Sequence, residues 1–404
     1  MTDTDPNTDT DADPNTDTDA DPNTDTDAHT ATESDLLDRL ATVEDPDNDD
    51  DIVSMGLVND VTVSDDTATV SLAFNAPYAP AEIEIGNAVR DAVTDAGFEP
   101  ELRAQFGAEH GFDADVLPGV RNVIAVASGK GGVGKTTVAA NLAAGLKGRG
   151  ARVGILDADV HGPNVPRLLP TENEPGMLPE GDIVPPRSEG VMVMSTDHLL
   201  PDGDDPAVLR GPMVNNVMMK FINDVEWGQL DYLIVDLPPG TGDASLNLLQ
   251  TLPIAGVVVV TTPQEMAVAD ARKGLRLFAD HDAPVLGVVE NMSAFHCPNC
   301  DDTHRVFGEG GGDEIRADYD VPVVGTLPVH PDFDTERVDG PTVRDDDSSV
   351  QADLEAMVES VADRVGEVNR RQVAERVGEW EPDEDGGGEN ESPGDRVPAG
   401  ADAE

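Results

Sequence analysis

The chain has 404 residues, with 82 Asp plus Glu against 25 Lys plus Arg, and its formal net charge is −57. Nucleic acids and anionic lipids bind basic surfaces, so this balance argues against non-specific binding to either. Dense carboxylates, 3% aromatic residues and few lysines are typical of a salt-saturated cytoplasm, so we predict a halophilic, cytoplasmic protein.

The N-terminal residues contain an acidic repeat. The unit DPNTDTDA occurs at residues 5–12, 13–20 and 21–28. It has no large apolar residue and therefore cannot offset the entropic cost of ordering itself. We predict a disordered acidic tail over residues 1–32 and a second one over residues 379–404.

Residues 33–106 have the pattern of a small α/β domain. A helix is predicted over residues 33–43, a β-hairpin over residues 58–74 with its turn at Asp65–Asp66, and a second helix over residues 80–97. We expect the domain to be separated by a linker, residues 107–121, from the rest of the chain.

Residues 122–378 have the pattern of a parallel α/β sheet. The strand-like segments are residues 123–127, 152–157, 191–195, 232–236, 256–262, 285–290 and 321–327. These segments are apolar without alternation, as strands buried on both faces should be. Helical patterns separate many of them, which predicts βαβ units, a mostly parallel sheet flanked by helices, and a last helix over residues 353–377. No run of eighteen apolar residues occurs, and the chain is acidic from Asp3 onward, so we expect neither a membrane span nor a secretory signal.

A phosphate loop follows the first of these strands. Gly129, Gly134, Lys135 and Thr136 satisfy the pattern G-x-x-x-x-G-K-S/T between a predicted strand and a predicted helix. The glycines let successive backbone N–H groups converge on phosphate oxygens at a helix N-terminus. Lys135 should reach the β- and γ-phosphates, and the Thr136 hydroxyl should bind Mg²⁺.

Lysine is rare in this chain, and two of its five lysines, Lys130 and Lys135, lie in this loop. An ordinary phosphate loop does not require a lysine after its first glycine. The segment GKGGVGKTT resembles the deviant loop of the MinD-like P-loop ATPases. The resemblance implies ATP hydrolysis by a homodimer in which Lys130 reaches the partner's nucleotide like an arginine finger. The loop residues that it implies as ATP-binding are Gly129, Lys130, Gly131, Gly132, Val133, Gly134, Lys135, Thr136 and Thr137.

The same resemblance assigns roles to polar residues that follow the strands. LDADVHGPN is similar to the first switch of the family, in which Asp159 would orient the attacking water and Asp157 would assist near Mg²⁺. YLIVDLPPGTGD is similar to the second switch, in which Asp236 would hold Mg²⁺ through water. Asn291 and the segment LPVHPDF resemble adenine-contacting segments. The implied catalytic residues are Lys130, Lys135 and Asp159.

The two cysteines of the chain form one CxxC motif, Cys297 and Cys300, flanked by His296 and His304. The motif is compatible with a redox dithiol, half of a zinc site or half of a shared cluster site. Two thiolates do not complete a tetrahedral metal site. Either His304 and one further ligand complete it within one chain, or two chains contribute two thiolates each.

A narrower resemblance covers residues 107–370. The phosphate loop, LDADVHGPNVPRLL, VDLPPGTGD and NMSAFHCPNC followed by FGEGGG are together similar to the Mrp/ApbC iron–sulfur cluster carriers. This implies a homodimer that bridges a 4Fe–4S cluster between paired CxxC motifs and transfers it to apo iron–sulfur proteins. Cys297 and Cys300 would then be the cluster ligands.

The small N-terminal domain also has a counterpart. VEDPDNDDDIVSMGLVNDVTV resembles the domain of iron–sulfur assembly proteins that is often fused ahead of these ATPases. That domain commonly carries a cysteine in the loop after its hairpin, where this chain has Tyr78 and Ala79. We therefore expect an adaptor role for residues 33–106.

Two other functions are compatible with the loop. A positioning ATPase of the MinD or partition type, with a structural zinc at the CxxC motif, would need a membrane-seeking helix or a basic DNA-binding face, and no basic cluster occurs. A reductase like the nitrogenase iron protein would need cluster cysteines that are widely separated in sequence. The carrier function is therefore our prediction, with no nucleic-acid or membrane partner.

Overall fold

The computed structural model describes residues 32–48, 50–104, 116–160, 162–199, 211–297, 300, 302–333 and 340–379. The two predicted acidic tails lie outside the described residues, apart from Thr32 and Glu379. Residues 107–115 of the predicted linker lie outside them as well. No helix in the described ranges combines the length and the apolar character that crossing a membrane requires.

The N-terminal part is a small α/β domain, as predicted. Its elements are α1 (Glu33–Leu40), β1 (Val58–Ser64), β2 (Thr67–Leu72), α2 (Pro80–Asp95) and β3 (Glu99–Ala104). Strands β1 and β2 form the antiparallel hairpin, with Asp65 in the left-handed region at its turn (φ 51°). Strand β3 pairs in parallel with β2 and was not predicted, because its sequence EPELRA has no apolar alternation and is mostly exposed.

The rest of the described chain is one α/β domain. Its strands are β4 (Val120–Ser128), β5 (Val153–Asp157), β6 (Gly176–Met177), β7 (Ile183–Val184), β8 (Arg187–Ser188), β9 (Val191–Ser195), β10 (Leu230–Asp236), β11 (Ile254–Thr261), β12 (Val285–Glu290), β13 (Phe295–His296), β14 (Thr303–His304) and β15 (Val323–Thr326). Its helices are α3 (Lys135–Gly148), α4 (Val165–Leu168), α5 (Gly211–Asn223), α6 (Asp243–Thr251), α7 (Glu265–Ala279), α8 (Gly311–Tyr319) and α9 (Gln351–Glu379).

The central sheet has the strand order β15-β12-β11-β4-β10-β5-β9-β8. Every neighbouring pair is parallel except β8 with β9, at one edge. Helices α3 and α9 cover one face, and α5 and α7 pack in the core of the other. The predicted mostly parallel sheet flanked by helices is thereby confirmed. Because the strands are parallel, their carboxyl ends meet at one edge, where such folds bind ligands.

The small domain packs on the opposite, amino-terminal edge of the sheet. Tyr232, near the start of β10, donates a 2.9 Å hydrogen bond to the carbonyl of Pro77. Helix α2 has no side-chain cap of its own, and its Ala81 N–H instead donates to Asp363 of α9 at 2.8 Å. The fully buried Arg370 of α9 contacts Asp45 at 2.6 Å. These contacts place the small domain away from the edge of the sheet where the carboxyl ends of the strands meet.

Candidate nucleotide and thiolate sites

The phosphate loop leaves β4 at the carboxyl edge of the sheet. Gly132 (φ 80°) and Gly134 (φ 87°) lie in the left-handed region, which glycine adopts without strain. Gly134 is also the N-cap of α3, and no side chain caps this helix. The N–H groups of the first turn of α3 therefore have no side-chain acceptor, an arrangement suited to phosphate oxygens. Gly129 allows close packing, because a Cβ atom there would lie 2.3 Å from the backbone carbon of Asp270.

Lys135, Thr136 and Asp236 form one contact group beside the loop. Lys135 pairs with one oxygen of the Asp236 carboxylate, and the Thr136 hydroxyl donates to the other at 2.7 Å. Asp236 is fully buried at the end of β10, and this burial raises its pKa, while the Lys135 ammonium acts in the opposite direction. A hydroxyl and a carboxylate at a helix N-terminus are oxygen donors of the kind that Mg²⁺ prefers. The sequence-predicted residues therefore fit a magnesium–nucleotide site.

Asp157 organises the segment that follows β5. Its carboxylate is buried and accepts hydrogen bonds from the backbone N–H groups of Asp159 (3.2 Å), Asn164 (3.0 Å) and Val165 (3.1 Å). The Ser195 hydroxyl donates to it at 3.1 Å. Burial, and then the neighbouring Asp236 charge, raise the pKa of Asp157 to about 7. Asp159 lies half-buried on this segment. Its position depends on Asp157, because the Asp157 carboxylate accepts a hydrogen bond from its backbone N–H.

Lys130 lies against helix α7 of its own chain. Its ammonium donates to the side-chain oxygen of Gln264 at 3.2 Å. Gln264 is the N-cap residue of α7, in the short connection that follows the buried strand β11. Gln264 was not predicted as a site residue, because its only signal in the sequence is a polar residue between an apolar strand and a helix.

Asn291 follows β12 and contacts the phosphate loop. It is buried, and its side-chain amide donates to the Val133 carbonyl at 2.9 Å. A Cβ atom on Gly134 would lie 2.1 Å from the same amide nitrogen, so the glycine is required here. The predicted contact with adenine stays a prediction. The observed contact is with the loop.

The CxxC motif lies on a short hairpin at the same edge of the sheet. In this hairpin β13 pairs with β14, and Phe295 forms a bridge to Val329, just beyond the carboxyl end of β15. Cys297 is half-buried and Cys300 is exposed. The two sulfur atoms and one ring nitrogen of His304 all lie within 4.8 Å of one another. The structure thus places His304 together with the two predicted ligands.

His296, the other histidine that flanks the motif, contacts Thr303 on the same hairpin. Nδ1 of His296 lies 2.9 Å from the Thr303 hydroxyl, on the neighbouring strand. Within the described residues, the group of possible metal ligands at the hairpin contains Cys297, Cys300 and His304.

The parallel sheet, the phosphate loop and the Lys135–Thr136–Asp236 group define a P-loop NTPase. A profile described as "NUBPL iron-transfer P-loop NTPase" matches residues 119–365, more than half of the chain, and the chain belongs to this family. A second profile, described as "Iron-sulfur cluster assembly protein", matches residues 33–97. Both predicted resemblances are thereby confirmed.

Similar proteins carry related names. An iron–sulfur cluster carrier protein of Deinococcus radiodurans is 42% identical over 301 residues, which cover 73% of this chain and 84% of that protein. The iron–sulfur cluster carrier protein of Escherichia coli K12 is 44% identical over 251 residues, 62% of this chain and 67% of that protein. Among solved structures, a nucleotide-binding protein of Archaeoglobus fulgidus in complex with ADP is 35% identical, with a TM-score of 0.48 over 61% of this chain and 89% of that one.

Proposed function

We propose that this chain is an ATP-hydrolysing iron–sulfur cluster carrier that delivers 4Fe–4S clusters to apo iron–sulfur proteins. The observation that carries the proposal is that one edge of one sheet holds both the phosphate loop with its Lys135–Thr136–Asp236 group and the hairpin with Cys297 and Cys300. A candidate nucleotide site and a candidate thiolate site thus lie at one edge of a single fold.

The nucleotide site would act by positioning and charge neutralisation rather than by covalent chemistry. The loop N–H groups and Lys135 would bind the phosphates of ATP. Mg²⁺ would be held by Thr136 and, through water, by Asp236, and it would neutralise phosphate charge. Asp159 would orient the attacking water. The bonds from Asp157 to the backbone of this segment support that role.

The active unit would be a homodimer. Lys130 would leave Gln264, to which it donates at 3.2 Å, and reach the partner's nucleotide. The exposed Cys300 and half-buried Cys297 would supply two thiolates per chain, and two chains would supply four to a bridging 4Fe–4S cluster. ATP binding would bias how tightly the dimer holds this cargo.

The small domain would be an adaptor for partners and not a cluster ligand. It packs at the amino edge of the sheet, and Tyr78 stands in the loop where related domains carry a cysteine. We place the domain boundaries at residues 33–106 and 122–378. The protein would work in a salt-rich cytoplasm, consistent with its net charge of −57.

The proposal is tested by anaerobic reconstitution with iron and sulfide, followed by transfer to an apo acceptor with and without ATP. We expect the wild type to form a 4Fe–4S cluster, seen by absorption and electron paramagnetic resonance, with two chains per cluster. Cys297→Ala should lose the cluster but keep ATP binding. Lys135→Ala should keep the cluster but lose ATP binding. A wild-type protein that retains zinc and forms no cluster would instead support a positioning ATPase.

A further inference from the structure

We propose that a single protomer binds one divalent transition-metal ion through three of its own side chains, Cys297, Cys300 and His304, with a fourth position open. The binding itself needs no partner subunit. Its place in iron delivery rests on the proposed function.

The distances within the group match the ligands of a single ion. Bonds of about 2.3 Å to sulfur and about 2.0 Å to nitrogen at a tetrahedral angle place a sulfur and a nitrogen ligand about 3.5 Å apart. Cys300 Sγ lies 3.7 Å from His304 Nε2. All three ligand atoms lie within 4.8 Å of one another. Thiolates that bind different irons of a cluster stand further apart than this, so the arrangement fits one ion.

The hairpin backbone holds the three residues in place. His304 pairs with Phe295 across β13 and β14, so it lies opposite the strand that leads to Cys297. The Cys297 N–H donates to the Asp302 carbonyl at 3.0 Å, which closes the turn between the two ligand-bearing arms. Backbone pairing within one chain therefore positions Cys297 and His304, and Cys300 Sγ lies 3.7 Å from His304 Nε2 in the same chain.

The chemistry of the set limits the ion. Two thiolates and an imidazole favour Zn²⁺, Co²⁺ and Fe²⁺, whereas Mg²⁺ and Ca²⁺ prefer oxygen ligands. Binding would release the protons of the two thiols, because thiolates are the ligands. Cys300 and His304 are exposed, so the ion can enter from solvent and the open position can accept a further ligand.

The two metal-binding modes share Cys297 and Cys300 but differ in their use of His304. A single ion uses His304, whereas a cluster bridged between two chains uses four cysteine sulfurs and no histidine. We therefore infer that His304 sets the affinity of the separate protomer for the first metal ion and leaves the ligand shell when two protomers share a cluster.

Cobalt titration of the full-length chain, under reducing anaerobic conditions, tests this inference. We expect one Co²⁺ per chain, with thiolate-to-cobalt charge transfer and the d–d bands of a tetrahedral site. His304→Ala should weaken binding at least about tenfold and change the d–d bands. His304→Cys should restore the affinity and add thiolate charge transfer. The matched control is His296→Ala, which alters the same hairpin and should bind cobalt like the wild type.

The inference is overturned if His304→Ala binds cobalt with wild-type affinity and bands, or if the wild type binds one ion per two chains. Reconstitution of the same variants separates it from the proposed function. One ion per chain without any 4Fe–4S cluster would refute the carrier function and leave this site standing. A cluster in both the wild type and His304→Ala, with no difference in cobalt binding, would refute the His304 site and leave the carrier function standing.

Discussion

Asn291 donates a 2.9 Å hydrogen bond from its side-chain amide to the carbonyl of Val133, and so joins the end of β12 to the phosphate loop. The chain that leaves β12 reaches the CxxC hairpin a few residues later, at Cys297. Asn291 therefore lies on a short stretch of chain between the two candidate sites.

Replacing Asn291 by Ala should weaken nucleotide binding. The Val133 carbonyl loses its partner, and a lost hydrogen bond to a buried group costs about 1–3 kcal/mol. We expect ATP to bind about 5- to 100-fold more weakly, measured by calorimetry, with the chain still folded. Asn247→Ala, on the exposed surface of α6, is the control. Wild-type ATP affinity in Asn291→Ala would show that the loop is held by other contacts.

Lys130→Ala should abolish the dependence of ATP hydrolysis on protein concentration. A positive charge that one protomer supplies to its partner's nucleotide raises the rate of hydrolysis about 10³-fold or more. The variant should keep its stability, because the Lys130 side chain is half-buried and donates to Gln264, while the bond from the Ser128 hydroxyl to the Lys130 carbonyl is kept. Lys273→Ala, which removes an exposed lysine from α7, should hydrolyse ATP at the wild-type rate. Equal rates for Lys130→Ala and Lys273→Ala would exclude the cross-dimer role.

Much of the fold could be predicted because local patterns encode it. The unalternated apolar segments predicted the central strands, and the spacing of Gly129, Gly134, Lys135 and Thr136 predicted the loop. Strand β3 could not be predicted in the same way, since its stability comes from parallel pairing with β2 rather than from its own apolar residues.

Two contacts of the phosphate loop are long-range, and no local sequence pattern predicts them. Asn291 meets Val133 across 158 positions, and Lys130 meets Gln264 across 134. His304 reaches the thiols only because two strands of two residues each pair as a hairpin. The sequence therefore predicted candidate binding residues but not the residues that position them.

Glu82 makes stability depend on pH at the boundary between the two domains. Burial raises its pKa from 4.5 to about 7, although the Ala76 N–H donates to it at 3.1 Å. The folded state therefore holds a proton that the unfolded state releases above about pH 4.5. Stability should fall as the pH rises from about 4.5 to about 7 and then level off.

Glu82→Gln should remove the contribution of this residue, whereas the contribution of Asp157, whose pKa is also raised to about 7, stays in both proteins. At pH 8 we expect the free energy of unfolding of the variant to exceed that of the wild type by up to about 3 kcal/mol, and at pH 4.5 the two should be similar. Denaturant unfolding at constant high salt measures the difference. Glu84→Gln, on the exposed side of the same helix, is the control. A wild-type and a Glu82→Gln protein with parallel stability profiles would contradict the assignment.

Arg370 should hold the small domain to the ATPase domain. It is fully buried and contacts Asp45 at 2.6 Å and Asp47 at 2.5 Å. Removing one partner of a buried ion pair leaves an uncompensated charge and costs about 3–5 kcal/mol. Arg370→Met should therefore lower the free energy of unfolding by this amount and raise hydrogen exchange in α1 and α2. Asp45→Asn in the same chain should recover part of the loss, because the buried charge is then removed.

The neighbouring arginine provides the matched comparison. Arg371 is about half exposed and pairs with Glu367, so Arg371→Met should cost less than about 1 kcal/mol. ATP hydrolysis per folded molecule should stay within about twofold of the wild type in Arg370→Met, since the Arg370 contacts lie at the amino edge of the sheet and the phosphate loop at the carboxyl edge. Equal costs for the two arginine variants would mean that the buried pair does not hold the domains together. A large loss of hydrolysis without unfolding would instead show that the small domain is coupled to the nucleotide site through the sheet.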